Sequence, residues 1–373
     1  MTDLQKIIVE VEQARSLGKP IALATVVEID GSSYRLPGAR MLIIDGGWVA
    51  GSISGGCLED DVVLRAIEVC KTNRPATATY DTTGDDDIVF GVGLGCKGVI
   101  TILIEPVSSE SGVVDLIAHW RACLERREAG AVATVVRVKD KANAQIGARV
   151  LSRGSAEATD IADAELAGKV RAAIADQTKH GSRMATIALA RGSVDVFVEC
   201  IEPPVSLVVF GAGHDAMPVV RLAKELGWQL TLVDHRAAYA TAARFPLADR
   251  LICAAPEDAL RLCVLDADTL ALVMTHNYLR DLKLLELLLP TPVRYLGLLG
   301  PRKRAEQLLA ELKQRGVRPS AAQLRRLYSP VGLDLGGESP AEVALSVLAE
   351  MQAALAKRFG GSLREKKSPI HSG

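Results

Sequence analysis

The chain has 373 residues, 49% of them apolar, which at about 150 residues per domain predicts two or three domains with real cores. Its 44 Lys and Arg set against 45 Asp and Glu leave a net charge of −1, which excludes the basic footprint of a nucleic-acid binder or of a protein drawn to anionic membrane. No run approaches the roughly 18 consecutive apolar residues of a membrane span, and the acidic residues near Met1 are unlike a signal peptide, so the expected location is cytoplasmic.

The predicted elements begin with a helix that places Leu4, Ile7, Ile8, Val11 and Ala14 on one face and ends before Gly18 and Pro20. Strands are predicted over 21–29, 40–45 and 48–52, separated by Gly, Ser, Asp and Pro clusters. After Gly55 and Gly56 a helical pattern runs to about Lys71, and strands resume over 76–80 and 99–105. The sequence then repeats itself. Ala22-Leu-Ala-Thr-Val-Val27 lies over Ala131-Val-Ala-Thr-Val-Val136 at an offset of 109, and the same register lays Gly38-Ala39-Arg40-Met41-Leu42 over Gly147-Ala148-Arg149-Val150-Leu151. Ile104-Glu105-Pro106 matches Ile201-Glu202-Pro203 at an offset of 97. Two copies of one α/β unit are therefore expected, over about 20–106 and 130–203.

Pro203-Pro204 reads as a linker. Beyond it, strands at 205–210, 229–234, 251–254, 268–275 and 293–299 alternate with helical stretches, the pattern of a Rossmann-like, doubly wound parallel sheet. Ser339-Pro340-Ala341-Glu342 is a capping box opening a last helix. The fold class is α/β: an internally duplicated N-terminal module over 1–203, a Rossmann-like domain over 205–358, and a flexible tail over 359–373.

What both copies keep is expected to be scaffold, and Arg40, matched by Arg149, is read as a structural ion pair or strand cap. What only the first copy has is expected to carry chemistry: Gly31-Ser32-Ser33-Tyr34-Arg35, Ser54-Gly55-Gly56-Cys57-Leu58-Glu59, and Gly91-Val92-Gly93-Leu94-Gly95-Cys96-Lys97-Gly98. Cys57 stands behind two glycines at a helix start, where the dipole favours a thiolate suited to nucleophilic or soft-metal chemistry. Cys96 lies among glycines that admit a ligand close to the backbone. Ser32 and Ser33 offer hydroxyls to a polar ligand, the plainer reading being a Ser-rich turn. The seven cysteines form no Cys-x-x-Cys pair and fit a reducing compartment, and Cys70, Cys123, Cys200 and Cys253 are read as small core residues. Asp85-Asp86-Asp87 is read as an exposed acidic loop.

In the C-terminal half, Gly211-Ala212-Gly213-His214-Asp215-Ala216 follows a strand and opens a helix, and Asp234 ends the next strand. This is the dinucleotide fingerprint in its proper context: glycines let the backbone approach a pyrophosphate at the helix N-terminus, and Asp234 would accept from ribose hydroxyls and disfavour a 2′-phosphate. His214 and His276 could face one crevice as ligand donors or proton carriers, the plainer role for His276 being a helix cap. Arg302 and Arg304 could hold phosphate through forked donors, or could simply begin a solvated basic helix.

Together, Gly31-Ser32-Ser33, Gly38-Ala39-Arg40-Met41, Gly55-Gly56-Cys57-Leu58-Glu59, Gly95-Cys96-x-Gly98 and Ile104-Glu105-Pro106 resemble the N-terminal signature of the xanthine dehydrogenase accessory (XdhC/CoxI) family. Gly211-Ala-Gly-His214, Thr275-His276, Gly297-Leu-Leu-Gly300 and Pro330-Val-Gly332-Leu333-Asp334 through Pro340-x-Glu342 resemble its C-terminal domain. The resemblance implies a maturation factor for a molybdenum hydroxylase of xanthine or carbon monoxide dehydrogenase type. It would bind the molybdenum cofactor, as molybdopterin or its cytosine dinucleotide form, protect it while a cysteine desulfurase partner helps install the sulfido ligand, and pass it on. Cys57 would then ligate molybdenum, with Gly55, Gly56 and Cys96 around the pterin and Gly211, Gly213 and Asp234 at a dinucleotide extension. Asn277 and Pro301 depart from the family pattern, which commonly has an acidic residue and Ser there. A different class of function also fits, an NAD(P)-dependent oxidoreductase with His214 or His276 as acid or base; a redox sensor pairing Cys57 with Cys96 is a third. A two-fold homodimer is expected only on general grounds.

Overall fold

The computed structural model describes residues 2–31, 33–81, 98–107, 114–140, 142–177 and 182–366. The chain divides into two compact units, Thr2–Pro203 and Pro204 onward.

The N-terminal unit contains the same assembly twice. The first copy runs α1(Asp3–Ser16), β1(Ile21–Gly31), β2(Arg40–Ile44), β3(Gly47–Gly51), α2(Glu59–Thr72), β4(Ala76–Asp81), β5(Gly98–Pro106). The second runs α3(Leu116–Arg126), β6(Gly130–Lys139), β7(Arg149–Arg153), β8(Ala156–Thr159), α4(Ala164–Gln177), β9(Arg183–Ala188), β10(Ser193–Ile201). Each forms a five-stranded antiparallel sheet of identical order, β3-β2-β1-β5-β4 and β8-β7-β6-β10-β9. Each repeat therefore begins one helix earlier than the sequence match at 20 and 130. Helix α1 starts on a capping box in which Thr2 and Gln5 each satisfy the other's backbone N–H.

The unbroken apolar run at the start of β1 follows from burial on both faces. Alternation sends Ile21 and Leu23 to the core that contains α1 and α3, and Ala22, Ala24 and Val26 to the core beneath α2. In β6, Val132 joins the α1–α3 core, while Ala131, Ala133 and Val135 face α4.

Strand pairing corrects one part of the repeat. Leu23 lies opposite Glu105, and its equivalent Val132 lies opposite Glu199. Glu105 thus corresponds to Glu199, at an offset of 94, and not to Glu202. Both copies bulge at the same place, leaving Val27 and Val136 outside the register. These two valines meet Leu103 and Phe197 in a small shared core. Around it the charges are exchanged: Arg40 of the first copy pairs with Glu199 of the second, and Arg149 of the second with Glu105 of the first, all four buried. Arg40 also donates to Gly38 O at 2.9 Å and Arg149 to Gly147 O at 3.0 Å. Glu28 pairs with Arg137, its equivalent at the 109 offset. The copies are thus related by a local two-fold arrangement, and the structural role read for Arg40 is the one observed.

The C-terminal unit runs β11(Ser206–Phe210), α5(Ala216–Glu225), β12(Gln229–Asp234), β13(Arg250–Cys253), α6(Pro256–Leu262), β14(Thr269–Val273), α7(Tyr278–Leu288), β15(Tyr295–Leu298), α8(Arg302–Gln314), α9(Ala321–Leu324), β16(Leu327–Tyr328) and α10(Pro340–Leu355). All six strands are parallel in the order β13-β12-β11-β14-β15-β16, the doubly wound arrangement in which the direction of strand addition reverses between β11 and β14. Leu207 and Val209 face the core shared by α5 and α10, while Val208 and Phe210 face that of α6, α7 and α8. The two-residue strand β16 has no counterpart in the predicted elements. Leu363–Glu365 forms one 3-10 turn within the stretch read as tail, and 367–373 lie outside the described residues.

Candidate functional site

Two places bring candidate residues together, one in each unit. In the first, residues 52–58 join β3 to α2; the equivalent link in the second copy, between β8 and α4, is only 160–163. Ser54 organises this longer turn. Its Oγ accepts from the N–H groups of Gly56 (3.3 Å), Cys57 (3.2 Å) and Leu58 (3.2 Å), lies 3.3 Å from Cys57 Sγ, and donates to Glu59 Oε2. Glu59 is buried and also accepts from Ser54 N and Ser52 Oγ, each at 3.0 Å, and from Leu58 N at 3.2 Å. Burial pushes its carboxyl up, but the hydrogen bonds from the Ser54 side chain, the Ser54 backbone and Ser52 outweigh this and hold it below the ordinary carboxylate range.

The amides of this turn are therefore already turned onto Ser54 and Glu59. The positive end of α2 engages its own carboxylates, with Asp60 and Asp61 beside Glu59 in the first turn. Cys57 is half-buried, packed against the core beneath α2 with its thiol donating to Ser54 Oγ, while Gly55 and Gly56 beside it are exposed and a Cβ on either would meet nothing within 4 Å. Ser33 is half-buried in a separate loop. Ser32, Asp85-Asp86-Asp87 and Cys96, and with Cys96 the pairing to Cys57, lie outside the described residues.

The second place is the C-terminal edge of the parallel sheet. Gly211 has φ +120°, and a Cβ there would lie 2.4 Å from Met274 O, so the turn requires glycine. Asp234 is buried and ties this turn to the end of β12: Oδ2 accepts from Ala212 N (2.8 Å) and Arg236 Nη2 (2.7 Å), Oδ1 from Arg236 N and Nε (both 2.9 Å). His235 Nδ1 is 3.1 Å from Oδ1. Burial raises the carboxyl, yet the Arg236 guanidinium and the two backbone donors prevail and draw it down to about 2. The Arg236 guanidinium stacks 3.7 Å from the Tyr239 ring centroid.

Across the switch point, His276 adopts φ +56° and its Nε2 lies 2.5 Å from Asp215 Oδ2, joining the β14 loop to the glycine turn. His276 is not the helix cap: Asn277 caps α7 by accepting from Arg280 N at 3.0 Å. His214 is exposed at the same turn, and Gly213 lies beneath the Asp215 carboxylate. Arg302 is exposed at the first turn of α8; Arg304, read with it as a holder of phosphate, instead reaches the buried Asp281 at 2.7 Å. A narrow cleft opens here, lined by Gly211, Asp234, His235, Arg236, Pro256 and Arg280, among others. Arg236 and Arg280 are functional candidates that the fingerprint did not single out. Cys253, read as a core residue, is exposed at the end of β13, its thiol 3.7 Å from His235 O.

The family model for the XdhC and CoxI family matches residues 14–81, which contain the Cys57 turn, and that for the XdhC Rossmann domain matches 207–351, which contain the cleft. The chain belongs to the XdhC/CoxI family. It is 32% identical to a probable xanthine dehydrogenase subunit of Bacillus subtilis (strain 168), over 88% of this chain and 91% of that protein. It is 24% identical to the molybdenum cofactor insertion chaperone PaoD of Escherichia coli (strain K12), over 91% and 85%. A crystal structure of a xanthine dehydrogenase from Bacillus halodurans superposes with a TM-score of 0.75 at 29% identity, covering 99% of each chain. Among the described residues of this XdhC/CoxI chain no helix is long and apolar enough to cross a membrane, and no three His, Cys, Asp or Glu side chains are grouped to hold a metal ion.

Proposed function

We propose that this XdhC/CoxI protein is a maturation factor for a molybdenum hydroxylase of xanthine or carbon monoxide dehydrogenase type. It takes the molybdenum cofactor as cargo, holds it while a cysteine desulfurase partner supplies the terminal sulfido ligand, and passes it to the hydroxylase. The names of the B. subtilis and E. coli relatives support that class of role.

One observation carries the site assignment: of two copies with the same sheet order, only the first has a long turn that leaves a thiol beside two unobstructed glycines. Cys57 is a soft donor suited to molybdenum. Ser54 and Glu59 hold its backbone so that the thiol need not be ordered at the moment of binding. Gly55 and Gly56 leave room for the flat pterin to approach.

The test is the molybdenum and pterin content of protein purified without oxygen from a cofactor-producing host, read by metal analysis and by fluorescence of the oxidised pterin. Near-stoichiometric cofactor that falls at least tenfold in Cys57→Ser is expected. Equal content in the variant would place the contact elsewhere. The His276–Asp215 pair at the switch point favours a second reading, an NAD(P)-dependent oxidoreductase; cofactor-free protein that oxidises NADH or NADPH with an added acceptor would move that reading first.

A further inference from the structure

We infer that the crevice at the C-terminal edge of the Rossmann sheet is a site for a phosphate monoester carried beside a flat ring, and not for the unphosphorylated ribose diol that its fingerprint suggests. The inference deepens the reading above and rests on it only where the pterin is considered as the source of the phosphate.

The argument is one of donors and acceptors. A ribose diol is recognised at the end of the second strand by a carboxylate with acceptor capacity to spare. A carboxylate offers about four acceptor positions, and those of Asp234 receive Ala212 N, Arg236 N, Arg236 Nε and Arg236 Nη2, with His235 Nδ1 3.1 Å from Oδ1 as well. A diol hydroxyl finds no acceptor there unless Arg236 is pulled away. That displacement is opposed by two guanidinium hydrogen bonds and by the stack on Tyr239.

Donors are what the cleft has in excess. Arg236 neutralises Asp234 and still has guanidinium N–H groups to offer. Arg280, from the first turn of α7, lines the same cleft and makes no ion pair among the described residues. The other nearby carboxylate on α7, Asp281, is buried and held by Thr275 Oγ1 and Arg304. Burial, and then the Arg280 charge, lower the His235 pKa, consistent with Arg280 lining the cleft beside it. An acceptor-only dianion such as a phosphate monoester matches two guanidinium forks. Ala254, Pro256 and Leu284 supply an apolar wall for the ring. The same chemistry occurs in a nucleotide 2′-phosphate and in the terminal phosphate of a pterin side chain.

The experiment is calorimetric titration of the cofactor-free full chain with matched pairs: NADP⁺ and NAD⁺, 2′-AMP and adenosine, and 6-hydroxymethylpterin phosphate and its dephosphorylated form. The phosphorylated member is expected to bind at least tenfold more tightly in at least one class. Arg280→Ala should abolish that preference and Arg280→Lys should restore part of it. Preference confined to the nucleotide pairs, or to the pterin pair, identifies the source. NAD⁺ binding as tightly as NADP⁺ with no preference in the pterin pair, a preference that survives Arg280→Ala, or no binding of any phosphorylated probe at millimolar concentration overturns the inference. Cofactor content is read on Cys57→Ser and phosphate preference on Arg280→Ala, so either proposal can fail alone.

Discussion

Ser54 gathers three backbone N–H groups on one oxygen and donates its own hydrogen bond to a buried carboxylate. Ser54→Ala leaves those amides and Glu59 short of partners, and leaving buried groups unsatisfied costs about 1–3 kcal/mol; chemical denaturation of the variant measures this, and its cofactor content should fall with it. Asp234 gives a pH dependence of definite sign. Its carboxyl is about 2 in the folded protein and about 3.9 when unfolded, so its stabilisation is fully present above the unfolded value and disappears as pH falls through about 2. The loss is about 2 kcal/mol, visible as acid sensitivity of the Rossmann unit that Asp234→Asn flattens. The sequence placed Asp234 correctly at the end of its strand because Rossmann spacing is local. Its saturation by Arg236 was not legible, since that depends on how the chain turns after the strand. Ser54 and Glu59 did lie within a motif peculiar to the first copy, but which polar groups of a turn point inward is decided by burial.

At the scale of elements, most strands and helices declared themselves through apolar periodicity and glycine or proline punctuation. β16 did not, because two residues carry no period. The repeat was legible from its first strand, yet its closing strand was misaligned by three residues: Ile201 ends β10, so Glu202 and Pro203 already lie beyond the pairing. Three-residue identities carry no register, whereas the buried arginines do, each selecting the equivalent glutamate of the other copy. Removing one partner of a buried pair leaves an uncompensated charge and costs about 3–5 kcal/mol. Arg40→Ala and Glu199→Ala should each destabilise the N-terminal unit by that amount in thermal or denaturant unfolding, with Arg149→Ala and Glu105→Ala matching them. Replacing both members of a pair by Met should recover most of the loss.

At the scale of the whole molecule, the two units use different rules. The Rossmann unit was readable because strand–helix alternation admits few parallel topologies, and six strands in the order β13-β12-β11-β14-β15-β16 are what the fingerprint presupposes. The N-terminal unit is antiparallel, and its design rests on exchange between copies: α1 and α3 share a core, and Val27, Val136, Leu103 and Phe197 meet near the centre. Neither half has its buried arginine neutralised alone.

Under the proposed role, this exchange bears on how many molecules of cargo one chain would hold. A pair of identical halves on separate chains would present two thiol turns, each able to influence the other. Here the partners are covalently joined, the second has only a four-residue link in place of the turn, and what it contributes is the counterion Glu199 and part of a shared core. Joining the halves makes the association independent of protein concentration, and the asymmetry leaves one such turn per chain. If cargo loads at the Cys57 turn as proposed, loading there is a single event per polypeptide, without a second equivalent turn in the N-terminal unit through which occupancy could be made cooperative.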